Sequence, residues 1–352
     1  MKNLTSTVAI ALCTYNGARY LPEQLDSYLR QTRQPDEMVI CDDGSRDETA
    51  TIWREFAGRA PFAVTIRVQD RNLGTIKNFE TAISLCSSDL IFLSDQDDVW
   101  EADKIEKFLW AFQNSPEAGM VFSNAELVDE ALRPLGRNLY DRAFTDEERR
   151  LLNEGHLFPT LLKRDVVIGA ALAFRVEFRD RIIPIPSDVP GMIHDGWIAV
   201  VISALAPVVY LDQPLIKYRQ HGEQQTGVMN YVPRKSRLGW VDAMRRVASG
   251  QQDRRKYVES LRDRLVSRMP VPQSALEALG AEISYRKEYI EHYQVRGMLP
   301  GNKAARVRRV VKELCSGRYH RFSNGIRSAI RDVLADHAGM TEFNEIVDRR
   351  RA

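Results

Sequence analysis

Leu90-Ile91-Phe92-Leu93-Ser94-Asp95-Gln96-Asp97-Asp98-Val99-Trp100 is the stretch that decides how this chain is read. Four successive apolar residues describe a buried strand, and three carboxylates follow its end. In an extended backbone Asp95 and Asp97 point to one side. Carboxylates so placed suit a hard cation shared with phosphate oxygens. Mg2+ and Mn2+ prefer oxygen donors and are commonly held by one or two carboxylates plus substrate phosphates. The same residues also read as an acidic turn capping the helix that follows. The apolar strand before them and Trp100 after them favour the metal reading.

Toward the N-terminus the pattern alternates. Thr7 to Cys13, Glu37 to Cys41 and Phe62 to Val68 read as strands. Helical spacing appears over Pro22 to Gln31, Arg46 to Phe56 and from the Asn72-Leu73-Gly74 turn to Leu85. A further helix is predicted over Asp103 to Phe112. This rhythm predicts an α/β fold, a mostly parallel sheet flanked by helices, with ligands bound beyond the carboxyl ends of the strands. Toward the C-terminus the expectations are short strands at Met120 to Ser123, Gly169 to Phe174, Val208 to Leu211 and Leu215 to Tyr218. Arg137 to Glu154 reads as charged and loop-rich, with a helix at Asp146 to Leu152. A helix is expected over Ile193 to Leu205, and long basic helices after Gly227.

Four further constellations sit where such a sheet would bind ligands. Thr14-Tyr15-Asn16-Gly17 offers a hydroxyl, a ring and an amide for a base, or a plain turn. Asp42-Asp43-Gly44-Ser45 offers acceptors for base or ribose, or the backbone chemistry of a tight turn. In His194-Asp195-Gly196-Trp197 the carboxylate reads equally as a general base or as a helix cap favoured by the dipole. Tyr218-Arg219-Gln220-His221-Gly222 supplies a cation and an imidazole, suited to a diphosphate and to a metal, or a solvated strand end.

Composition narrows the field. The chain has 352 residues, 44% of them hydrophobic and 28% charged, ordinary for a globular protein. Cys13, Cys41, Cys86 and Cys315 lie far apart with no CxxC pair, which argues against a disulfide framework or zinc site. No run reaches the roughly 18–20 apolar residues of a membrane span, and no secretory signal is evident. A cytoplasmic location is therefore expected. Residues 1–230 hold 24 Lys+Arg against 34 Asp+Glu, whereas residues 231–352 hold 26 against 14. Two regions with different partners are expected, a catalytic domain over 1–228 and a helical basic region over 229–352.

In this order and spacing the motifs resemble family 2 glycosyltransferases, which have the GT-A fold. The resemblance rests on Ala11 to Gly17, Val39 to Asp47, Asn72-Leu73-Gly74 with Asn78, Ser94 to Trp100, and His194 to Trp197. It covers residues from about 5 to 225. Ser-Asp-Gln-Asp-Asp, His-Asp-Gly-Trp and Tyr-Arg-Gln-His-Gly look most like the bacterial rhamnosyltransferase-like branch.

The resemblance implies an inverting, metal-dependent transfer of a sugar from a nucleoside-diphosphate sugar to a glycan or lipid-linked acceptor, with rhamnose suggested by the branch. It implies donor contacts from Thr14, Tyr15, Asn16, Asp42, Asp43, Asn72, Asn78, Asp95 and Arg219. Asp97, with Asp95 and His221, would hold Mn2+ or Mg2+, and Asp195 would be the general base. Gly169-Ala170-Ala171 stands where the family has a small-residue acceptor motif, here with no hydroxyl or thiol. The Gln-x-x-Arg-Trp motif and membrane helices of the processive branch are absent, which implies addition of one or a few sugars. The alternative is a non-catalytic nucleotide-sugar-binding or scaffold protein derived from a transferase. A nucleotidylyltransferase would need a Gly-rich triphosphate loop, and a dinucleotide dehydrogenase GxGxxG after the first strand; neither is present.

Residues 300–331 carry nine Lys+Arg against the single acidic Glu313. Val307, Val310, Val311 and Leu314 fall on one helical face, and Tyr319, Phe322 and Ile326 extend the pattern. Such a helix suits the anionic inner face of the cell membrane as a peripheral attachment, or packing against the catalytic domain. No nucleic-acid motif accompanies the charge, so nucleic acid is not an expected partner.

Overall fold

The computed structural model describes residues 6–141, 143–189, 192–222, 224 and 240–334. The chain divides into two compact units, Met1–Asn230 with Leu265–Ala275, and Tyr231–Arg264 with Leu276–Ala352. The expected domain boundary at 228/229 lies outside the described residues.

The first unit is built on one sheet. Its N-terminal half runs β1 (Val8–Thr14), α1 (Leu21–Leu29), β2 (Glu37–Asp42), α2 (Thr49–Arg59), β3 (Ala63–Val68), α3 (Thr75–Leu85), β4 (Leu90–Ser94), β5 (Val99–Trp100) and α4 (Lys104–Asn114). Strand β1 pairs in parallel with β2 and β4, and β2 with β3. All seven residues of β1 and all five of β4 are buried, as a central parallel strand covered on both faces requires. Strand β3 closes one edge of the sheet and is largely exposed.

The second half is mixed. It contains β6 (Met120–Val128), β7 (Pro134–Asn138), α5 (Asp146–Asn153), α6 (Phe158–Lys163), β8 (Leu172–Arg175), α7 (Arg179–Ile182), α8 (His194–Leu205) and β9 (Val208–Arg219). The strand order is β3-β2-β1-β4-β8-β6-β9-β5, with β7 on β6. Strand β8 runs antiparallel to both β4 and β6, and β9 parallel to β6. Ile10, Leu12 and Phe92 of the sheet pack with Leu25 and Tyr28 of α1 and Ile105, Phe108 and Phe112 of α4 in one core.

Several expectations are corrected. Gly169–Ala171 is a 3-10 turn, and the strand begins only at Leu172. The two late strands are one, because a register shift between Ser123 and Asn124 absorbs Asp212-Gln213 without ending the pairing. Strand β6 continues to Val128, well past Ser123. Part of the expected charged loop is strand β7.

The remaining elements are helices, α9 (Trp240–Arg268), α10 (Gln273–Gly297), α11 (Lys303–Cys315), α12 (Arg318–Phe322) and α13 (Ile326–Leu334), which make up the second unit apart from Leu265–Ala275, the end of α9 and the start of α10. Val310 and Leu314 pack with Leu299, Tyr319, Ala329 and Val333. The Arg296 Nε lies 2.7 Å from Asp332, which also accepts from the Tyr319 hydroxyl, and the His292 Nδ1 lies 2.8 Å from Glu313. The single apolar face expected for the basic segment is therefore split. Val310, Tyr319 and Phe322 are buried, whereas Val307, Val311, Ile326, Ile330 and Leu334 are exposed. Arg306 is also buried and donates to the carbonyls of Pro300 and Gly301. Among the described residues no helix is long and apolar enough to cross a membrane.

Candidate active site

Register brings the chemistry together. Thr14 stands opposite Asp42, and Leu12 opposite Ser94, so the carboxyl ends of β1, β2 and β4 share one edge. The loops leaving them line a cavity of about 360 Å³. Thr14, Tyr15, Asn16, Asp43, Asn78, Asp95, Asp97, Asp195 and His221 all reach it. Asp42, Asn72 and Arg219, also expected as donor contacts, are not among its lining residues.

The first two loops are stapled to each other. The Asp42 carboxylate accepts from the Thr14 hydroxyl at 2.8 Å and from the Ser45 backbone N–H and hydroxyl at 2.8 and 2.5 Å. Its acceptors are spent inside the loop, which is why it braces the edge instead of facing the cavity. Asn16, at a φ of 48°, accepts from the Arg46 N–H and donates its own N–H to the Ser45 hydroxyl. Asp43 accepts the N–H groups of Leu73 and Gly74 at 2.7 and 2.9 Å, tying the second loop to the start of α3. Asn78 donates to the carbonyl of Cys41 at 2.9 Å.

Gln96 was not assigned a role from sequence, yet its amide grips the backbone of Tyr15. Its Oε1 accepts the Tyr15 N–H at 2.8 Å, and its Nε2 donates to the Tyr15 carbonyl at 3.0 Å. Gly17 is needed there for space, because a Cβ would sit 2.1 Å from the Gln96 Oε1. Tyr15 itself is 46% exposed, at the rim.

The acidic loop separates its three carboxylates by environment. Burial, then the neighbouring charges of Asp97 and Asp195, push the Asp95 carboxyl up to about 8. The Asp97 Oδ2 lies 2.8 Å from the His221 Nε2. Asp98 is fully buried, accepts the Arg219 N–H at 3.0 Å, and is pushed well above the usual carboxylate range by burial. Below them Lys104 is fully buried. Its Nζ donates to the Ala170 carbonyl at 2.7 Å and lies 3.8 Å from the centre of the Trp100 ring.

Arg219 has a structural post. Its guanidinium donates to the Asp97 carbonyl at 2.7 Å, to the Glu130 carbonyl and to the Glu23 carboxylate, and it lies over the Tyr20 ring. Held this way it stiffens the acidic loop from behind.

Asp195 is not the helix cap, because Ile193 holds the N-cap position of α8 and, among the described residues, no side chain caps it. The Asp195 Oδ1 accepts the Gly196 N–H at 2.7 Å in the first turn of α8, and its Oδ2 accepts the Gly169 N–H at 2.9 Å. It also lines the cavity. Asp97 and His221 offer oxygen and nitrogen donors suited to a divalent cation. Among the described residues no group of three or more His, Cys, Asp or Glu is placed to hold a metal. A cation on this pair would complete its shell with ligand oxygens, the arrangement diphosphate-binding sites favour.

The family described as Glycosyl transferase family 2 matches residues 9–179. The dTDP-rhamnosyl transferase RfbG of Shigella flexneri is 30% identical over 243 residues, which cover 65% of this chain and 78% of that protein. The chain belongs to glycosyltransferase family 2. An uncharacterized glycosyltransferase of Nostoc sp. is 26% identical over 223 residues, covering 61% of this chain and 65% of the relative. Mycobacterial relatives are covered over 59% of their length, so the chain spans under two thirds of several proteins it matches. The crystal structure of S. aureus TarS 1-349 in complex with UDP-GlcNAc aligns with 90% of this chain and 92% of its own, at a TM-score of 0.50 and 16% identity. That likeness shows the GT-A fold. In this family 2 glycosyltransferase the fold places the paired carboxylates at the cavity expected for a strand-end ligand.

Proposed function

We propose that this glycosyltransferase moves one or a few sugars from a nucleoside-diphosphate sugar to a cell-surface glycan or lipid-linked acceptor, with inversion at the anomeric carbon. The observation that carries the reading is one cavity lined by Asp195 together with Asp95, Asp97 and His221. Asp195 takes the proton of the acceptor hydroxyl as its oxygen attacks the anomeric carbon. The bond from that carbon to the diphosphate oxygen breaks in the same step, and the electron pair leaves with the diphosphate. The Gly169 N–H holds the Asp195 carboxylate in place. Asp97 and His221 would hold Mg2+ or Mn2+, which supplies charge neutralisation for the departing diphosphate. Asp43, Thr14, Tyr15 and Asn78 line the part of the cavity assigned to base and ribose.

Rhamnose carried on thymidine diphosphate is the donor proposed, supported by the 30% identity to a dTDP-rhamnosyl transferase. The domain division at 228/229, a cytoplasmic location and attachment of the basic region to the inner face of the membrane complete the proposal. The last is supported by exposed Lys303, Arg308, Arg309, Lys312 and Arg327 beside exposed Val307, Val311, Ile326 and Ile330. The test is a screen of dTDP-, UDP- and GDP-linked sugars for hydrolysis and transfer with and without Mn2+. Product stereochemistry is read by NMR. Retention of configuration would overturn the inverting mechanism, and full activity in chelator would overturn the metal.

A further inference from the structure

We propose that His194 is a specificity-determining contact, taking a hydroxyl group of a substrate sugar held against Asp195. The inference rests on the glycosyltransferase reading and adds a residue to it.

His194 is 5% exposed and lines the cavity. Neither ring nitrogen has a hydrogen-bond partner among the described residues. Buried polar atoms are nearly always satisfied, so two unpartnered nitrogens on a ring that lines a cavity point to a ligand group as their partner. The ring cannot swing away to find a partner. It stacks on Phe79 with centroids 3.9 Å apart and planes 10° from parallel. At the ring edge a Cβ at Gly169 would lie 2.9 Å from the Nε2, so the glycine gives the imidazole its room.

The chemistry selects the ligand group. Burial lowers the affinity of the ring for a second proton, so one nitrogen donates and the other accepts. A neutral imidazole beside the Asp195 carboxylate offers no attraction to a phosphate. A hydroxyl both donates and accepts and matches either tautomer. Ile168, Ile193 and Phe79 line the cavity around it and suit the C–H faces of a sugar ring. Asp195 adjoins His194 in the chain, which puts this hydroxyl close to the reacting centre. It belongs either to the donor sugar or to the acceptor.

His194→Phe keeps the stack on Phe79 and removes both nitrogens. His194→Gln restores an amide that donates and accepts. Titrations with dTDP, UDP and GDP and with their sugars, in Mn2+, are combined with initial rates of hydrolysis and transfer. Unchanged binding of the parent diphosphate establishes that a variant has an intact site. His194→Leu stands in where the larger phenyl ring disturbs that binding. For a donor hydroxyl, the Phe or Leu variant binds the donor sugar about tenfold to a hundredfold more weakly, and hydrolysis falls with it. For an acceptor hydroxyl, donor binding and hydrolysis stay at wild-type values and kcat/KM for the acceptor falls by that factor. The Gln variant recovers part of the loss in either case. Variants within twofold of wild type throughout, or a Gln variant no better than Phe, overturn the proposal and leave His194 a packing residue. A wild type inactive on every sugar overturns the functional reading beneath it, a result separable from an active wild type with equally active variants.

Discussion

The Nε2 of His221 lies 2.8 Å from the Oδ2 of Asp97, joining the end of β9 to the acidic loop after β4 across 124 positions of sequence. The Tyr20 ring packs on the imidazole with centroids 4.7 Å apart, which fixes its orientation toward the cavity. Metal-binding histidines need such fixed orientation, because the ring must present one chosen nitrogen.

The pair leads to a direct expectation for metal dependence. Asp97→Ala and His221→Ala should each remove most of the Mn2+ stimulation of nucleoside-diphosphate binding while the fold persists. Loss of an outer-shell partner already costs on the order of 10–100-fold in metal affinity, and loss of a direct ligand should cost at least as much. Calorimetric titration of the diphosphate with and without Mn2+ measures it. Undiminished stimulation in both variants would remove the pair from the metal site.

Asp195→Asn should keep donor binding and lose transfer. The amide oxygen can still accept from the Gly169 or Gly196 N–H, so the turn and the helix start survive. It cannot take a proton at neutral pH, and general-base catalysis typically contributes about 10²–10⁴-fold. The loss belongs in kcat, with the donor dissociation constant near wild type. Near-normal turnover would reduce Asp195 to a brace between the Gly169 turn and the first turn of α8.

Arg219→Met should lower stability more than it alters ligand affinity. The change takes the donor from two backbone carbonyls, at Asp97 and Glu130, that the guanidinium now satisfies. Glu130 is exposed, so water replaces its lost donor, while the half-buried Asp97 carbonyl left unpaired costs up to about 1–3 kcal/mol. Thermal unfolding should show a lower midpoint, with diphosphate binding retained at low temperature. An unchanged midpoint with lost diphosphate binding would restore Arg219 to the role expected from sequence.

Arg219 also shows where sequence reading stops. A basic residue beside His221 at a strand end suits a diphosphate, and nothing local reveals that Glu23 and two carbonyls compete for it. Asp42 and Asp43 illustrate the same limit at closer range. Successive residues leaving a strand face opposite ways, and only one of the two carboxylates reaches the cavity. The central parallel strands were legible because residues buried on both faces form unbroken apolar runs. Strand β7 was not, since Pro134–Asn138 is exposed, contains Pro134 and Gly136, and owes its form to pairing with β6. Gly169–Ala171 reads as a small-residue strand because such residues carry no periodicity. The turn is set by partners distant in sequence, with the Ala170 carbonyl held by Lys104 and the Gly169 N–H by Asp195.

The basic region yields the last expectation, and the structure changes which residues should test it. Arg306 is buried on the carbonyls of Pro300 and Gly301, and Arg318 pairs with Glu291 and Glu313. Charge reversal at either would disturb the helices themselves. Arg308, Arg309 and Lys312 are exposed along α11, near exposed Val307 and Val311. Reversing these three to Glu should release the protein from phosphatidylglycerol-containing vesicles, since each cation near such a surface contributes about 1 kcal/mol. Binding of the unaltered protein should weaken as salt rises, because exposed charges are screened within about 10 Å at 0.1 M. Transfer to a soluble acceptor should continue in the variant, as the carboxylates at 95, 97 and 195 belong to the other unit. Val311→Asp, which leaves every cation in place, should weaken binding in a way that salt does not reproduce. Equal co-sedimentation of the unaltered and charge-reversed proteins would rule out the membrane attachment.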